Sequence, residues 1–431
     1  MADGNHPDRA AIKAGQLEQL RSLVAELFPA NRFYTRKLEA AGITFDVASL
    51  EDFSARFPFT TKQELVADQL AHPPFGTNLT YPLEGYTRFH QTSGTSGTPL
   101  RWLDTPESWD GMVESWQEIF RAAGVHAADR VMFAFSFGPF IGFWLAFEAA
   151  ARLGCLCLPG GGLSSSARLR VMQVNQSSVL CCTPTYAIRL AEVAADDHLE
   201  TRTLGVKTII VAGEPGGSIP ATRAKLEALW PGARIFDHHG MTEVGPVTYE
   251  CPKQSGVLHV IESAYFAEVI DPATGKLCDR GELVLTTLGR IGSPLLRYRT
   301  GDVVKLSNPN AEPKTPCVCG RHELALEGGI LGRVDDMIIV RGVNVYPAAV
   351  EEIIRSFGEI AEYRVRISEA HSLTEMQIQI EPAALDCNPA ALAVRVGMAF
   401  EAALALRVPV TAVSPGTLPR FEMKAQRWVK S

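Results

Sequence analysis

Apolar positions at the start of the chain follow a helical repeat. Leu17, Leu20, Val24 and Leu27 share one face, and Pro29-Ala30-Asn31 marks an end. The N-terminal region is therefore read as helices. Beyond residue 125 short apolar runs alternate with helical stretches. Strands are expected at 131–135, 155–158, 179–182 and 207–212, and helices at 141–153, 168–175, 185–195 and 222–229. Such alternation builds βαβ units around a mainly parallel sheet. After about residue 255 the pattern changes: strands at 257–260, 264–270 and 281–286 are separated by turns with no helix between them. That predicts a small antiparallel, β-barrel-like subdomain over about 255–332. A third regime begins near Arg333, with a strand at 337–340, a helix at 347–355, strands at 363–367 and 376–381, a helix at 389–404 and an extended run at 409–413. This is a βαββαβ-like unit. The expected architecture is α/β. A large N-terminal domain covers 1–332, a polar hinge 333–336, and a small hinged α+β C-terminal domain 337–431.

Composition narrows the class. The 431 residues suffice for a large core without staples. The net charge of −7, from 41 basic and 48 acidic residues, argues against a broad nucleic-acid surface. An anionic ligand would need a local site. The one membrane-like stretch, 131–147, carries Gly138, Pro139 and Gly142 and reads as a buried strand, a turn and a core helix. No membrane partner is expected. The polar start, MADGNHPDRAAIKAGQ, shows no export signal, and nine cysteines form an odd set. Reduced thiols in the cytoplasm are the expectation.

Three segments carry candidate chemistry. Thr92-Ser93-Gly94-Thr95-Ser96-Gly97-Thr98-Pro99 places five hydroxyls and two glycines within eight residues. Exposed N–H groups and hydroxyls of such a loop can wrap phosphate oxygens, although a flexible turn has the same composition. No lysine follows as in the GxxxxGK[ST] pattern. His238-His239-Gly240-Met241-Thr242-Glu243 sets a hydroxyl beside a carboxylate, a pairing able to hold Mg²⁺. One of its two histidines is read as stacked or capped rather than as a metal ligand. Tyr298-Arg299-Thr300-Gly301-Asp302 is read as a Gly turn followed by a lone carboxylate. That carboxylate can accept both hydroxyls of a ribose, or simply form a surface salt bridge.

The order and spacing of these segments resemble the adenylate-forming enzyme superfamily. Ala212-Gly213-Glu214-Pro215, Met241-Thr242-Glu243, Tyr298-Arg299-Thr300-Gly301-Asp302, the run from Gly332-Arg333-Val334-Asp335-Asp336 through Ile339-Val340-Arg341-Gly342-Val343-Asn344-Val345-Tyr346-Pro347, and Pro419-Arg420-Phe421-Glu422-Met423-Lys424-Ala425 resemble the phenylacetate–CoA ligase family in particular. The resemblance runs from about residue 30 to the C-terminus. It implies activation of a small carboxylic acid by ATP to an acyl-adenylate, then transfer to the thiol of coenzyme A. The alternative acceptors are a carrier-protein thiol, an amine or another nucleophile. A non-catalytic nucleotide-binding protein is a third reading, against which an intact Lys424 stands.

By the same resemblance, Thr92, Ser93, Gly94, Thr95, Ser96, Gly97 and Thr98 would hold the β- and γ-phosphates. Glu243 would bind Mg²⁺ and Thr242 would contact the α-phosphate. Asp302 would hold the ribose, with Arg333 close to the nucleotide. Gly213, Glu214 and Pro215 would pack around adenine, and His239 would stack on it where relatives carry tyrosine. Lys424 would stabilise the charge that builds during adenylation. Asp335 would be the hinge, and Gly342 would leave room for the pantetheine arm. Relatives often form dimers, so the resemblance allows a homodimer, while the residues themselves leave the oligomeric state open.

Two further expectations concern other residues. Cys251, His259, Cys317 and Cys319 supply three thiolates and an imidazole, the ligand set of a structural zinc site, and some family relatives carry such a zinc. Simple core cysteines are the competing reading, and it is the one taken for Cys155, Cys157, Cys181, Cys182, Cys278 and Cys387. Phe135, Phe137 and Phe140, with Gly240, would line the acid pocket and suit an aromatic or other flat acid, plain core packing being the competing reading for each phenylalanine. The missing loop lysine is a departure from the family, for which Arg101 could compensate by pointing inward.

Overall fold

The computed structural model of the protein describes residues 6–43, 46–92, 99–307, 315–341, 343–370, 373–383, 388–421 and 425–430. Packing divides the chain into two compact units, one of residues 1–162 and 236–330, the other of 163–235 and 331–431.

The first unit opens with helix Arg9–Leu27, capped by the Asp8 carboxylate, which accepts from the Ala11 amide. Leu20, Leu23, Val24 and Leu27 are fully buried. A hairpin of Arg88–Gln91 and Arg101–Asp104 leads into helix Pro106–Ala122. Thr105 caps that helix through the Ser108 amide and Pro106 sits in its first turn. The helix is amphipathic but was not among the expected elements. The apolar run at 131–147 resolves as expected into strand Arg130–Phe133, a turn and helix Ile141–Arg152. Strand Leu156–Pro159 then returns parallel to Arg130–Phe133, completing a βαβ unit. No helix among the described residues is long and apolar enough to cross a membrane.

The expected antiparallel region is present in the same unit. Tyr265–Ile270, Arg280–Thr287 and Tyr298–Lys305 form a meander, and Thr248–Glu250, Val257–Val260 and Ala325–Glu327 form a second antiparallel sheet. One expectation is corrected here. The segment 298–302 is not a turn but the start of strand Tyr298–Lys305. Tyr298, Thr300 and Asp302 alternate inward with a period of two and are buried. Gly301, at φ 78°, sits beside the register shift between Glu282 and Val284.

In the second unit, strands Val179–Cys182 and Thr208–Val211 run parallel. Around them lie helices Ser165–Asn175, Pro184–Asp196 and Pro220–Leu229. The C-terminal part carries the hairpin Ile338–Val340/Val343–Val345, helix Pro347–Arg355, the long hairpin Ile360–Ala370/Leu373–Pro382, and helix Pro389–Leu404. Val410–Ala412 pairs parallel with one long strand and Trp428–Lys430 with the other. Val365, Ile378, Ile380, Leu392, Val396 and Phe400 form its core.

Beside that core lies a buried ionic network. Arg427 grips Glu362 through Nε at 2.6 Å and Nη2 at 3.1 Å, and Arg355 donates to Glu351 at 2.9 Å. The Tyr363 hydroxyl donates to the same Glu351 carboxylate. Burial opposes ionisation of Glu351. The charges of Arg355 and Arg427 and the Tyr363 hydrogen bond override it and draw its pKa from the ordinary 4.5 down to about 2. A carboxyl depressed on folding stabilises the protein above its unfolded pKa, and the contribution is lost as pH falls toward the folded value. The melting temperature is therefore expected to fall between about pH 5 and pH 2 more steeply in the native protein than in Glu351→Gln, the two curves converging near pH 2. Parallel curves across that range would refute this.

Candidate functional site

The segment following strand Arg234–Asp237 is built from backbone outward. His238 is fully buried, its ring edge-on to Trp116 at 4.5 Å, with Nδ1 2.8 Å from the Thr248 carbonyl. Burial lowers its pKa to about 3, so it stays neutral. Of the two histidines this is the one held by a ring contact, edge-on rather than stacked. His239 is fixed by its main chain: its amide donates to Thr248 Oγ1 at 2.9 Å, and its carbonyl accepts from Val247 and Thr248. Its imidazole Nε2 lies 3.1 Å from Asp302 Oδ2, out of hydrogen-bond alignment.

Gly240–Met241 then pairs with Gly245–Pro246 as a minimal hairpin. A Cβ on Gly240 would come within 2.7 Å of the Gly245 carbonyl oxygen, so only glycine closes it. Glu243 is buried and accepts from the Tyr298 hydroxyl at 2.9 Å. One strand thus meets this segment twice, Tyr298 at Glu243 and Asp302 at His239. The sequence motifs contained Tyr298, but nothing in their spacing singled it out as the partner of Glu243.

Thr242 is held from the other side. Its carbonyl accepts from Arg290 Nη1 at 3.0 Å. The same guanidinium forks onto Asp104, with Nε–Oδ1 at 2.6 Å and Nη2–Oδ2 at 2.8 Å, and lies over the Trp102 ring. Burial disfavours the Asp104 charge, but Arg290 holds its carboxyl below the usual range. Neither residue was found from the sequence. The available signal was faint: a carboxylate ending the apolar strand Arg101–Asp104.

Thr92 is buried at the base of the hydroxyl-rich loop. Its amide donates to the Leu100 carbonyl, and its hydroxyl accepts from the Leu100 amide at 3.0 Å. Ser93 to Thr98, Gly342 and Lys424 lie outside the described residues. Arg101 does not point inward as required to replace the loop lysine. Its guanidinium donates to the Pro74 carbonyl at 3.0 Å on the surface.

The phenylalanine-rich segment folds into an aromatic cluster. Phe135 lies 6.0 Å from both Phe133 and Phe137, and Phe137 meets Trp144 at 5.0 Å and Phe147 at 5.6 Å. Phe140 folds back over Gly138. Helix Ile141–Arg152, which carries Trp144 and Phe147, packs on the Gly240 hairpin. The helix that carries Trp144 and Phe147 is the element that links this aromatic cluster to the Gly240 hairpin.

In the second unit, Gly213 adopts φ 93°, the left-handed turn that follows strand Thr208–Val211. Glu214 then uses both carboxylate oxygens. Oε1 accepts from the Thr185 amide and Oε2 from the Ala425 amide, each at 2.8 Å. Arg333 and Asp335 pair with each other at 2.9 and 3.1 Å in an exposed position.

The cysteine–histidine group converges in the first unit. The ligand atoms of Cys251, His259, Cys317 and Cys319 all lie within 4.8 Å of one another. Cys251 Sγ to Cys317 Sγ is 3.6 Å, and Cys319 Sγ to His259 Nε2 is 3.4 Å. A tetrahedral ion with Zn–S of about 2.3 Å and Zn–N of about 2.05 Å would set these edges at about 3.8 and 3.6 Å. Burial pushes the Cys319 thiol up to about 12 and lowers the pKa of His259. Cys155, Cys181 and Cys182 are buried, and Cys157 and Cys278 half-buried; Cys387 lies outside the described residues.

Comparison with known proteins bears on what this arrangement is. The family profile "AMP-binding enzyme" matches residues 91–289, and "AMP-binding enzyme C-terminal domain" matches 342–431. The chain is 31% identical to the phenylacetate–coenzyme A ligase of Thermus thermophilus, over 96% of this chain and 95% of that one. The chain belongs to the phenylacetate–CoA ligase family of adenylate-forming enzymes. The Escherichia coli phenylacetate–coenzyme A ligase is 30% identical over 86% of this chain and 82% of its own. The solved structure of 2-hydroxyisobutyryl-CoA ligase in the postadenylation state with its acyl-AMP superposes with a TM-score of 0.93 at 28% identity, covering 100% of this chain and 93% of that one. The same enzyme in its thioester-forming state, with CoA bound, gives 0.73 at 29% identity over 98% and 90%. The α/β architecture with an α+β C-terminal part is that of these ligases. The protein is an AMP-forming acid–CoA ligase, working through an acyl-adenylate.

Within this ligase the Asp104–Arg290 pair is expected to be structural. Removing one partner leaves a buried charge uncompensated, which costs about 3–5 kcal/mol, whereas replacing both by apolar residues can be near neutral. Arg290→Met is expected to lower the melting temperature sharply, and Asp104→Leu/Arg290→Met to recover most of the loss. Equal losses in the single and double variants would refute the uncompensated charge as the cause of the loss.

Proposed function

We propose that this ligase activates a small aryl or arylacetic acid, holds ATP on the face around His239, Glu243 and Asp302, and carries a structural zinc at its cysteine–histidine cluster. The observation that carries the nucleotide reading is the strand Tyr298–Lys305, which puts Asp302 beside His239 and Tyr298 on Glu243.

In the first step a carboxylate oxygen of the acid bonds to the α-phosphorus, and the bond from that phosphorus to pyrophosphate breaks. Asp302 accepts the ribose hydroxyls, and the His239 ring lies against adenine. Thr242 donates its hydroxyl toward the α-phosphate from a backbone that Arg290 fixes. Thr92 anchors the loop through Thr98 that meets the β- and γ-phosphates. Gly213 and Pro215 shape the adenine side, with Arg333 near the nucleotide. Glu243, one oxygen engaged by Tyr298, fits Mg²⁺, which takes few protein oxygens and retains phosphate ligands. When bound, the ion screens the phosphate charge. Lys424 stabilises charge on the bridging oxygens. In the second step the thiolate of coenzyme A attacks the acyl carbon and AMP leaves. Rotation about Asp335 brings Gly342 to the thiol channel.

The aryl preference is supported by the clustering of Phe135, Phe137 and Trp144, with Phe140 over Gly138, and by the packing of the helix that carries Trp144 on the Gly240 hairpin. It agrees with the names of the Thermus and Escherichia relatives. The test is a panel of phenylacetate, benzoate, hydroxy- and aminobenzoates and 2-hydroxyisobutyrate, assayed with and without coenzyme A. AMP and an acyl-CoA are expected with an aromatic acid, and Lys424→Ala is expected to slow adenylation at least about 100-fold. Turnover of 2-hydroxyisobutyrate alone would overturn the aryl preference. Pyrophosphate exchange without thioester would point to a carrier-protein thiol or another acceptor.

Zinc is supported by the convergence of the four ligand atoms within 4.8 Å and by two of their separations, which lie near tetrahedral edge lengths. Bound there, it ties the 317–319 segment to the sheet carrying His259. Metal analysis after chelator-free purification is expected to give about one zinc per chain, lost in Cys317→Ser together with a fall in melting temperature. A ratio near zero in the native protein would reject the site.

A further inference from the structure

Glu214 belongs to the loop that family resemblance assigns to the adenine pocket, yet its carboxylate is engaged elsewhere. Oε1 accepts from the Thr185 amide in the first turn of helix Pro184–Asp196. That helix begins with Thr183, whose hydroxyl takes the Tyr186 amide, and Pro184, which has no N–H. The Thr185 amide is therefore the remaining donor of that turn, and Glu214 satisfies it where the helix dipole favours an anion. This half of the carboxylate is fixed to a rigid element. Oε2 accepts from the Ala425 amide at 2.8 Å. Ala425 directly follows Lys424 in the chain.

The contacts on either side show how that segment is held. Arg420 forks between Glu381 and Glu192, and Glu381 also accepts from the Gly416 and Leu418 amides. On the far side Arg427 is buried, bound to Glu362, with Nη1 3.3 Å from the Thr185 hydroxyl. Between these anchors, among the described residues, the Glu214–Ala425 bond is the tie closest in sequence to Lys424. A charge-assisted hydrogen bond to a main-chain amide restrains the backbone itself, which a side-chain ion pair at Arg420 does not.

We propose that Glu214 is a positioning residue for adenylation: a latch that fixes the backbone beside Lys424 and is released for thioester formation. This rests on the acid–CoA ligase reading and on Lys424 as the adenylation cation. Glu214→Gln tests it. The amide oxygen can still accept from Thr185, but its NH₂ then faces the Ala425 N–H, two donors together, so the anchor survives and the latch is lost.

Three quantities are measured in the full-length enzyme: single-turnover AMP-ester formation, its KM for ATP, and thioester formation from supplied acyl-adenylate and coenzyme A. Adenylation is expected to slow by about tenfold or more, the loss typical of one charge-assisted hydrogen bond acting only in that step. KM for ATP should stay within about twofold and the thioester half-reaction should be unchanged. A raised KM for ATP at unchanged rate would make Glu214 an adenine-pocket wall and overturn the latch. Parallel loss of both half-reactions with a lower melting temperature would make it a scaffold residue, which also overturns it. Lys424→Ala, run alongside, separates the two layers. Intact adenylation in that variant would refute the Lys424 assignment itself. Slow adenylation there with a normal Glu214→Gln would refute the latch alone.

Discussion

The candidate catalytic face of the first unit depends on one buried guanidinium. Arg290 closes a fork on Asp104 and donates from Nη1 to the Thr242 carbonyl. Its partner is fully buried at the end of the hairpin that flanks the hydroxyl-rich loop. The base of that loop and the Thr242-Glu243 segment, far apart in sequence, are thereby referred to a single rigid group. An uncompensated charge at this depth is costly, so neither partner can leave without the other. The pair contributes geometry more than net stability, because an apolar pair of similar volume could fill the same space.

Three carboxylates, two in the first unit and one in the second, are each kept in place differently. Asp104 has a full ion pair. Glu243 has a neutral phenol, which orients an oxygen without cancelling the charge. Glu214 has two backbone amides, and among the described residues no cation within its hydrogen bonds. This ordering follows the work proposed for each group. A structural carboxylate can be neutralised by its partner. A cation ligand has to remain negative and available. A latch has to be strong in one arrangement and breakable in another, which suits amide donors better than a buried arginine.

The fold was legible wherever periodicity and chemistry agreed. The runs at 131–135, 179–182 and 207–212 and the helices that follow them were read within a few residues, because buried parallel strands are continuous apolar runs. Helix Pro106–Ala122 was missed although Thr105-Pro106 is a strong start signal, since its acidic and aromatic residues mask the repeat. The segment 298–302 was misread because Gly301 looks like a turn; it is a glycine at a sheet irregularity inside a strand. For the candidate site, local motifs identified the residues but not their partners. Asp104, Arg290 and the Tyr298–Glu243 bond are long-range pairings, separated by 186 and 55 residues, and no local pattern encodes them. Arg101 shows the converse: its sequence position fitted a role that its contact with Pro74 denies.

The cysteine–histidine cluster extends the same logic to the antiparallel sheet. His259 lies on the central strand Val257–Val260, opposite Tyr249 on one side and Ala325 on the other. Its ring stacks on Tyr249 at 5.4 Å, and Arg321 covers the far part of that tyrosine. The imidazole is thus oriented by packing before any ion arrives, with Nε2 turned toward the thiols. Thiolates in such a buried group are disfavoured without a cation, as the raised Cys319 pKa reflects. A divalent ion that binds deprotonated sulfur reverses this and turns a cost of burial into a cross-link. Apolar packing alone gives no reason for three thiols and one imidazole nitrogen to converge within 4.8 Å, and that convergence is what the zinc proposal accounts for and simple core cysteines do not.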